Sequence, residues 1–343
     1  MSHIQTLHEA VNTIAPILKH SPTATAVIKG PPGVGKSDIC FQIAAKIGIP
    51  EDRILRIHIN DYDSIDFTGV PSITPDGFTV FNPTQMLSMF REGSGPGMLI
   101  VEELPQSSNA HQTWFAGIEL ERETPQFKLD PEVRIICTGN RKEDRAGTRP
   151  MLSHLNDRLW HFEISSDLDT WVSWASTQPN IDYTDIMFLN WRPNLLNMFD
   201  PNREANPTSR SWTKVFTQIP KGLLKDKYLE AAVAAKVGEG AAAEYCSFLK
   251  MFKQLPDITQ LIKGTANPKS VSIPAELPAR FALAGSLVEH ADTVNIDCIS
   301  AYLDQFQEKE IIMLFWSLLV RKEPQMKNTS AFTQFAPKNA DYY

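Results

Sequence analysis

The stretch Gly30-Pro31-Pro32-Gly33-Val34-Gly35-Lys36-Ser37 constrains this chain more than any other part of it. It fits the pattern G-x-x-x-x-G-K-[ST]. It also lies between a short apolar run read as a strand, Ala24–Lys29, and a helically spaced run, Ser37–Ile47. Glycines let the backbone curl so that successive N–H groups converge on phosphate oxygens, and a helix N-terminus adds positive potential there. The spacing assigns Lys36 to the β- and γ-phosphates of a nucleotide and the Ser37 hydroxyl to Mg²⁺, with Asp38 on the first helical turn. With glycine near 7% of residues, a random match in a chain this long is roughly a one-in-a-hundred event.

A phosphate loop needs an acidic strand end to hold metal and orient water. Met98-Leu-Ile-Val supplies an apolar strand that ends on Glu102 and Glu103. Glu102 is the candidate metal carboxylate, and Glu103 the candidate general base. A further strand, Val133–Thr138, leads to Gly139-Asn140, a polar tip suited to the γ-phosphate or the attacking water. Runs at Arg53–Ile59 and Leu159–Ile164 read as two more strands. Strands apolar on both faces that alternate with helices predict a parallel sheet covered by helices on both sides, an α/β core over residues 1–165. Beyond it helical spacing dominates, at Lys225–Ala235, Ala241–Gln254, Ala279–Ala291 and Ser300–Arg321. This predicts an all-helical lid over 166–290 and a C-terminal helical extension over 291–343, with 324–343 polar and loosely held. Helical spacing from Ile4 predicts a first helix over 4–20, and Gln85–Arg91 a short one. Residues 72–80 read as a hairpin turning at Pro75-Asp76-Gly77, with Phe78 and Phe81 as apolar residues able to touch a substrate.

Composition narrows the function. Lys and Arg number 33 against 40 Asp and Glu, a formal charge of -7, so a protein that coats nucleic acid is disfavoured. Cys40, Cys137, Cys246 and Cys298 are widely spaced and read as small buried residues of a reducing compartment. His154 and His161, seven apart, fit a helix face with no completing metal ligand. The N-terminus lacks the apolar core of a signal peptide, and the apolar run Ile311–Val320 is about half of a bilayer span. The expectation is a cytoplasmic protein with no membrane contact.

The order of phosphate loop, acidic strand, polar-tipped strand, Arg-bearing segment and helical domain resembles the AAA+ ATPases. Finer text resembles their MoxR-type group: Asp63-Ser-Ile-Asp66-Phe-Thr-Gly69-Val-Pro71, Asn82-Pro83, Glu103-Leu-Pro-Gln106, Leu155-Asn-Asp-Arg158-Leu159, Asp169-Thr-Trp171 and Pro207-Thr-Ser-Arg210-Ser-Trp212. The resemblance implies that Asn140 is the sensor of the γ-phosphate. It implies that Arg158 reaches a nucleotide in a neighbouring subunit, with Arg145 and Arg149 as rivals, and that Arg210 reaches its own nucleotide from the lid. It implies ATP and Mg²⁺ as ligands, a homo-oligomeric ring, commonly a hexamer, a protein client, and a partner with a von Willebrand factor A domain. One position departs from the pattern. The group carries Asp before the catalytic Glu, whereas Glu102 stands here. The longer arm suits Mg²⁺ geometry less well and points to weak or partner-dependent turnover. Three other readings compete: a nucleic-acid motor, which requires a basic, aromatic-lined pore; a nucleotide-gated scaffold with little turnover; and a small-molecule kinase, which leaves Asn140, Arg158 and Arg210 without roles.

Overall fold

The strand residues alternate between two helix-covered faces, and this sets the architecture of the first half. In the computed structural model, which describes residues 4–82, 86–124, 126–144, 150–219, 222–224, 227–251 and 255–338, six strands form one parallel sheet. They are β1 (Ile4–Gln5), β2 (Thr25–Lys29), β3 (Ile54–His58), β6 (Gly97–Glu102), β7 (Val133–Gly139) and β8 (Trp160–Ile164), in the order β1-β8-β2-β7-β6-β3. The remaining strands, β4 (Val70–Ile73) and β5 (Thr79–Asn82), pair antiparallel as a separate hairpin.

Val27, Leu99, Ile135 and Cys137 point to one face and pack with Phe115 and Ile118 of the helix Asn109–Glu121. Ile28, Ile100 and Ile136 point to the other face. There they meet α1 (Leu7–His20) through Ile14 and Leu18, and α2 (Lys36–Ile47) through Ile39 and Ile43. Register is in step across the centre: Val27 lies beside Cys137, and Leu99 beside Ile135. Burial on both faces explains why β2, β6 and β7 read as continuous apolar runs.

The chain divides into two compact units. The first holds the residues up to Asp167 together with Phe199–Asn202; the second holds Leu168–Met198 and everything from Arg203 onward. The second unit is helical, with helices that include Tyr183–Trp191, Ser209–Gln218, Lys227–Val237, Glu239–Met251 and Leu277–His290. One apolar cluster runs through it from Trp171 to Phe335, so residues on either side of position 290 share a core. Trp212 is fully buried there and donates its indole N–H to the Leu195 carbonyl at 2.6 Å.

Several sequence expectations need correction. Helical spacing from Ile4 conceals β1; the helix starts at Leu7, behind a Thr6–Glu9 capping box. The run Ser300–Arg321 is two helices, Ile296–Leu303 and Lys309–Lys322. Instead of being loosely held, 324–338 forms a 3₁₀ turn, Pro324–Asn328, and a helix, Ser330–Lys338, which bury Met326 and Phe335. Only a 3₁₀ turn, Ser88–Phe90, stands in the described part of the expected helix at 85–91. His154 lies in the short helix Ser153–Asn156 and His161 in β8, so the two share no helix face.

Candidate functional site

Parallel strands deliver their C-terminal ends to one edge, and the predicted site residues gather there. The loop after β2 passes through Gly33 and Gly35 with left-handed backbone, φ of 79° and 97°. Gly35 is the N-cap of α2. Lacking a side chain, it leaves the first amides of α2 turned outward, as an anion site requires. Val34 is 3% exposed and pins the loop into the core, while Asp38 is exposed on the first turn.

Lys36 Nζ is held at three points. It donates to the carbonyls of Gly30 and Pro31, and to Oδ1 of Asn140, each at 2.9 Å. The phosphate-loop lysine and the polar tip of β7 are therefore one hydrogen-bonded unit. The strand order accounts for this, because β7 lies between β2 and β6. The Gly30 N–H also donates to the Gly139 carbonyl at 3.3 Å. Beyond Asn140 the chain is anchored by Arg141, whose guanidinium pairs with Asp144 at 3.0 Å and lies 3.7 Å from Glu163.

Glu102 and Glu103 diverge. Glu102, the last residue of β6, is 4% exposed and faces the α2 side, where its charge helps burial push the Cys40 thiol up. Its register partner on β3 is His58, whose Nε2 lies 3.0 Å from Oε2; Arg56 Nε lies 3.7 Å from Oε1. Glu103 is exposed and adopts left-handed backbone with φ 63°, which turns the chain into the 3₁₀ turn Leu104–Gln106. That turn packs tightly on the tip of β7: a Cβ on Gly139 would stand 2.4 Å from the Pro105 ring. Arg56 and His58 escaped the sequence reading because Arg53–Ile59 reads as an apolar strand. The signal was the alternation of Arg56 and His58 on one strand face.

The arginines are placed less directly. Arg158 is exposed between the helix Ser153–Asn156 and β8, and among the described residues it forms no ion pair. Arg145 and Arg149 fall outside the described residues. Arg210 is exposed on the first turn of Ser209–Gln218 in the second unit, behind the N-cap Thr208. The Asp63 and Asp66 carboxylates serve a local capping box around the helix Ser64–Thr68. The hairpin is present, with Ile73 and Phe78 more than 70% exposed; Pro83 lies outside the described residues. Cys40, Cys137 and Cys246 are buried, and Cys298 is partly buried. No described helix is long and apolar enough to cross a membrane.

The residues present suit a nucleoside triphosphate with a divalent cation. A cradle of outward amides and one lysine would counter phosphate charge, and Glu102 Oε1 is a buried carboxylate oxygen with no hydrogen-bond partner among the described residues. No family model matches the chain. Solved structures resemble it distantly. NtrX from Brucella abortus in complex with ATP is 11% identical, with 99% of this chain and 69% of that one covered and a TM-score of 0.41. A DNA polymerase III gamma subunit-related protein from Thermotoga maritima is 11% identical, over 91% and 99% of the two chains, with a TM-score of 0.35. PCH-2 from C. elegans is 13% identical, over 94% and 69%, with a TM-score of 0.31.

Proposed function

We propose that this chain is an ATP-hydrolysing, ring-forming AAA+ ATPase of the MoxR type, acting on a protein client. The observation that carries the reading is the bridge from Lys36 Nζ to the loop carbonyls and to Asn140. It couples the phosphate cradle to the polar strand tip next to the acidic one. In this reading Gly30–Asp38 bind ATP, with Lys36 and the first amides of α2 countering phosphate charge. Asn140 exchanges its bond to Lys36 for the γ-phosphate or the attacking water, and Glu103 takes that water's proton. Ser37 and Glu102 would hold Mg²⁺, which would supply charge neutralisation to the phosphates.

Arg158 is exposed, with the Glu119 carboxyl as an electrostatic neighbour, and the sequence resemblance reads it as a guanidinium offered to the nucleotide of a neighbouring subunit. Arg210 is read as acting from the helical unit on its own nucleotide. The hairpin from Val70 to Asn82 exposes Val70, Ile73, Phe78 and Phe81 and carries Asp76 but no Lys or Arg. That chemistry favours an apolar polypeptide client over nucleic acid. The partner with a von Willebrand factor A domain rests on the sequence resemblance. A second reading, a nucleotide-gated scaffold with little turnover, is favoured by Arg56 and His58 beside Glu102.

The test is Mg²⁺-dependent ATP hydrolysis across protein concentration, for wild type, Glu103→Gln and Arg158→Ala. Specific activity that rises with concentration, and is lost in both variants while ATP still binds, supports the ring ATPase. A wild type that binds ATP without turnover at any concentration favours the scaffold. A fully active Arg158→Ala removes that residue from the site. Stimulation by DNA favours a nucleic-acid motor.

A further inference from the structure

The surroundings of Glu102 carry an inference that rests on reading this residue as the metal-binding carboxylate. Arg56 and His58 are two residues apart on β3 and so point to one face, and His58 is the register partner of Glu102. The carboxylate is buried, whereas the Arg56 and His58 side chains are 44% and 38% exposed. The two carboxylate oxygens have different neighbours. Oε2 lies 3.0 Å from His58 Nε2, and Oε1 lies 3.7 Å from Arg56 Nε without a hydrogen bond. Arg56 Nη2 lies 3.2 Å from the same His58 Nε2, which can donate to Oε2 or accept from the guanidinium but not both; as donor to Oε2 it leaves Arg56 beside Oε1 without a bond to the imidazole.

Oε1 is thus the oxygen open to a ligand, and the cation nearest to it is a guanidinium. A fixed positive charge within about 4 Å of a ligand oxygen opposes a divalent cation at that oxygen. We propose that Arg56 is a resident counter-ion of Glu102 that competes with the divalent metal, and that His58 is a positioning residue that holds Oε2 and leaves Oε1 contested. Metal then loads by displacing Arg56, whose exposed, flexible side chain swings into solvent while its backbone stays in β3. Glutamate at this position fits the arrangement. Its longer arm reaches β3 and the Arg56 guanidinium, and the metal has to draw it away from that charge.

The test uses Mn²⁺ as the probe. Mn²⁺ is titrated into the full chain with saturating ADP, and free Mn²⁺ is followed by electron paramagnetic resonance. The proteins are wild type, Arg56→Gln, Arg56→Lys and Glu102→Gln. The expected result is Mn²⁺ binding about three- to fivefold tighter in Arg56→Gln, near wild type in Arg56→Lys, and lost in Glu102→Gln. The gap between wild type and Arg56→Gln narrows as salt is raised. If Glu102→Gln loses Mn²⁺ while Arg56→Gln matches wild type or binds more weakly, Glu102 is the ligand and the competitor role of Arg56 is overturned. If Glu102→Gln binds Mn²⁺ as wild type does, the metal reading of Glu102 falls, and this proposal falls with it. Arg56 is exposed, so its substitutions leave the fold intact, which the urea midpoint checks.

Discussion

Lys36 and Asn140 divide one hydrogen bond between two tasks. Lys36 donates to two loop carbonyls and to the Asn140 amide, so the loop is tied in its curled form before any phosphate enters. Removing the lysine takes away both the tie and the charge. Lys36→Ala is expected to weaken binding of a fluorescent ATP analogue by about 10- to 100-fold. Asn140→Ala keeps Lys36 and its charge. It is expected to bind the analogue within about threefold of wild type while kcat falls about 10²-fold. A matching loss of binding in both variants would mean that Asn140 serves only to shape the loop. The lysine, the loop and the polar tip were all legible from residue type and spacing. Their direct contact was not, because it depends on β7 lying next to β2, a fact of strand order.

At the scale of elements, the sheet edge is built by close contact between the tips of neighbouring strands. Gly139 ends β7 where the Pro105 ring arrives from the turn after β6, and a methyl group there has no room. Gly139→Ala is expected to lose about 2–3 kcal/mol in urea unfolding, more than Gly117→Ala, where a Cβ would meet open space. Equal effects would show that the Pro105 contact yields easily. The sequence made most strands readable because β2, β6 and β7 are buried on both faces and carry short apolar runs at their centres, Ala26–Ile28, Met98–Val101 and Ile135–Cys137. It hid β1, since a two-residue edge strand has no period to detect. It also hid the break between Leu303 and Lys309, where Asp304–Glu308 contains neither Gly nor Pro and buries Phe306. The environment of Glu102 was illegible for a third reason: register across two strands 44 residues apart sets it.

Across the whole molecule, burial holds several acids in their neutral forms. Desolvation raises the Cys40 and Cys137 thiols, and burial together with the nearby Asp185 raises the Tyr245 phenol, which donates to Asp185 at 2.7 Å. Tyr302 is pushed up to about 12 by burial. In the unfolded chain the thiols release protons near their ordinary pKa of about 8.5 and the phenols near 10. The unfolded state then binds fewer protons than the fold, so stability falls as pH rises. These groups contribute fully below about pH 8, and their contribution shrinks progressively above it. The urea midpoint at pH 10 is therefore expected to lie below that at pH 7.5. An unchanged midpoint would mean that these groups ionise as readily in the fold as outside it.

With Glu103 as the proposed general base, its left-handed backbone would set heat tolerance against turnover. A non-glycine residue with φ near 63° is strained by about 1 kcal/mol. Glycine at that position relieves the strain, and asparagine relieves part of it. A laboratory evolution campaign scored on heat tolerance alone would be drawn to this position and, under the proposed role of Glu103, return hardier proteins without ATP turnover. In a natural lineage that had lost the need for hydrolysis, the same drift would mark position 103 as an early one to change.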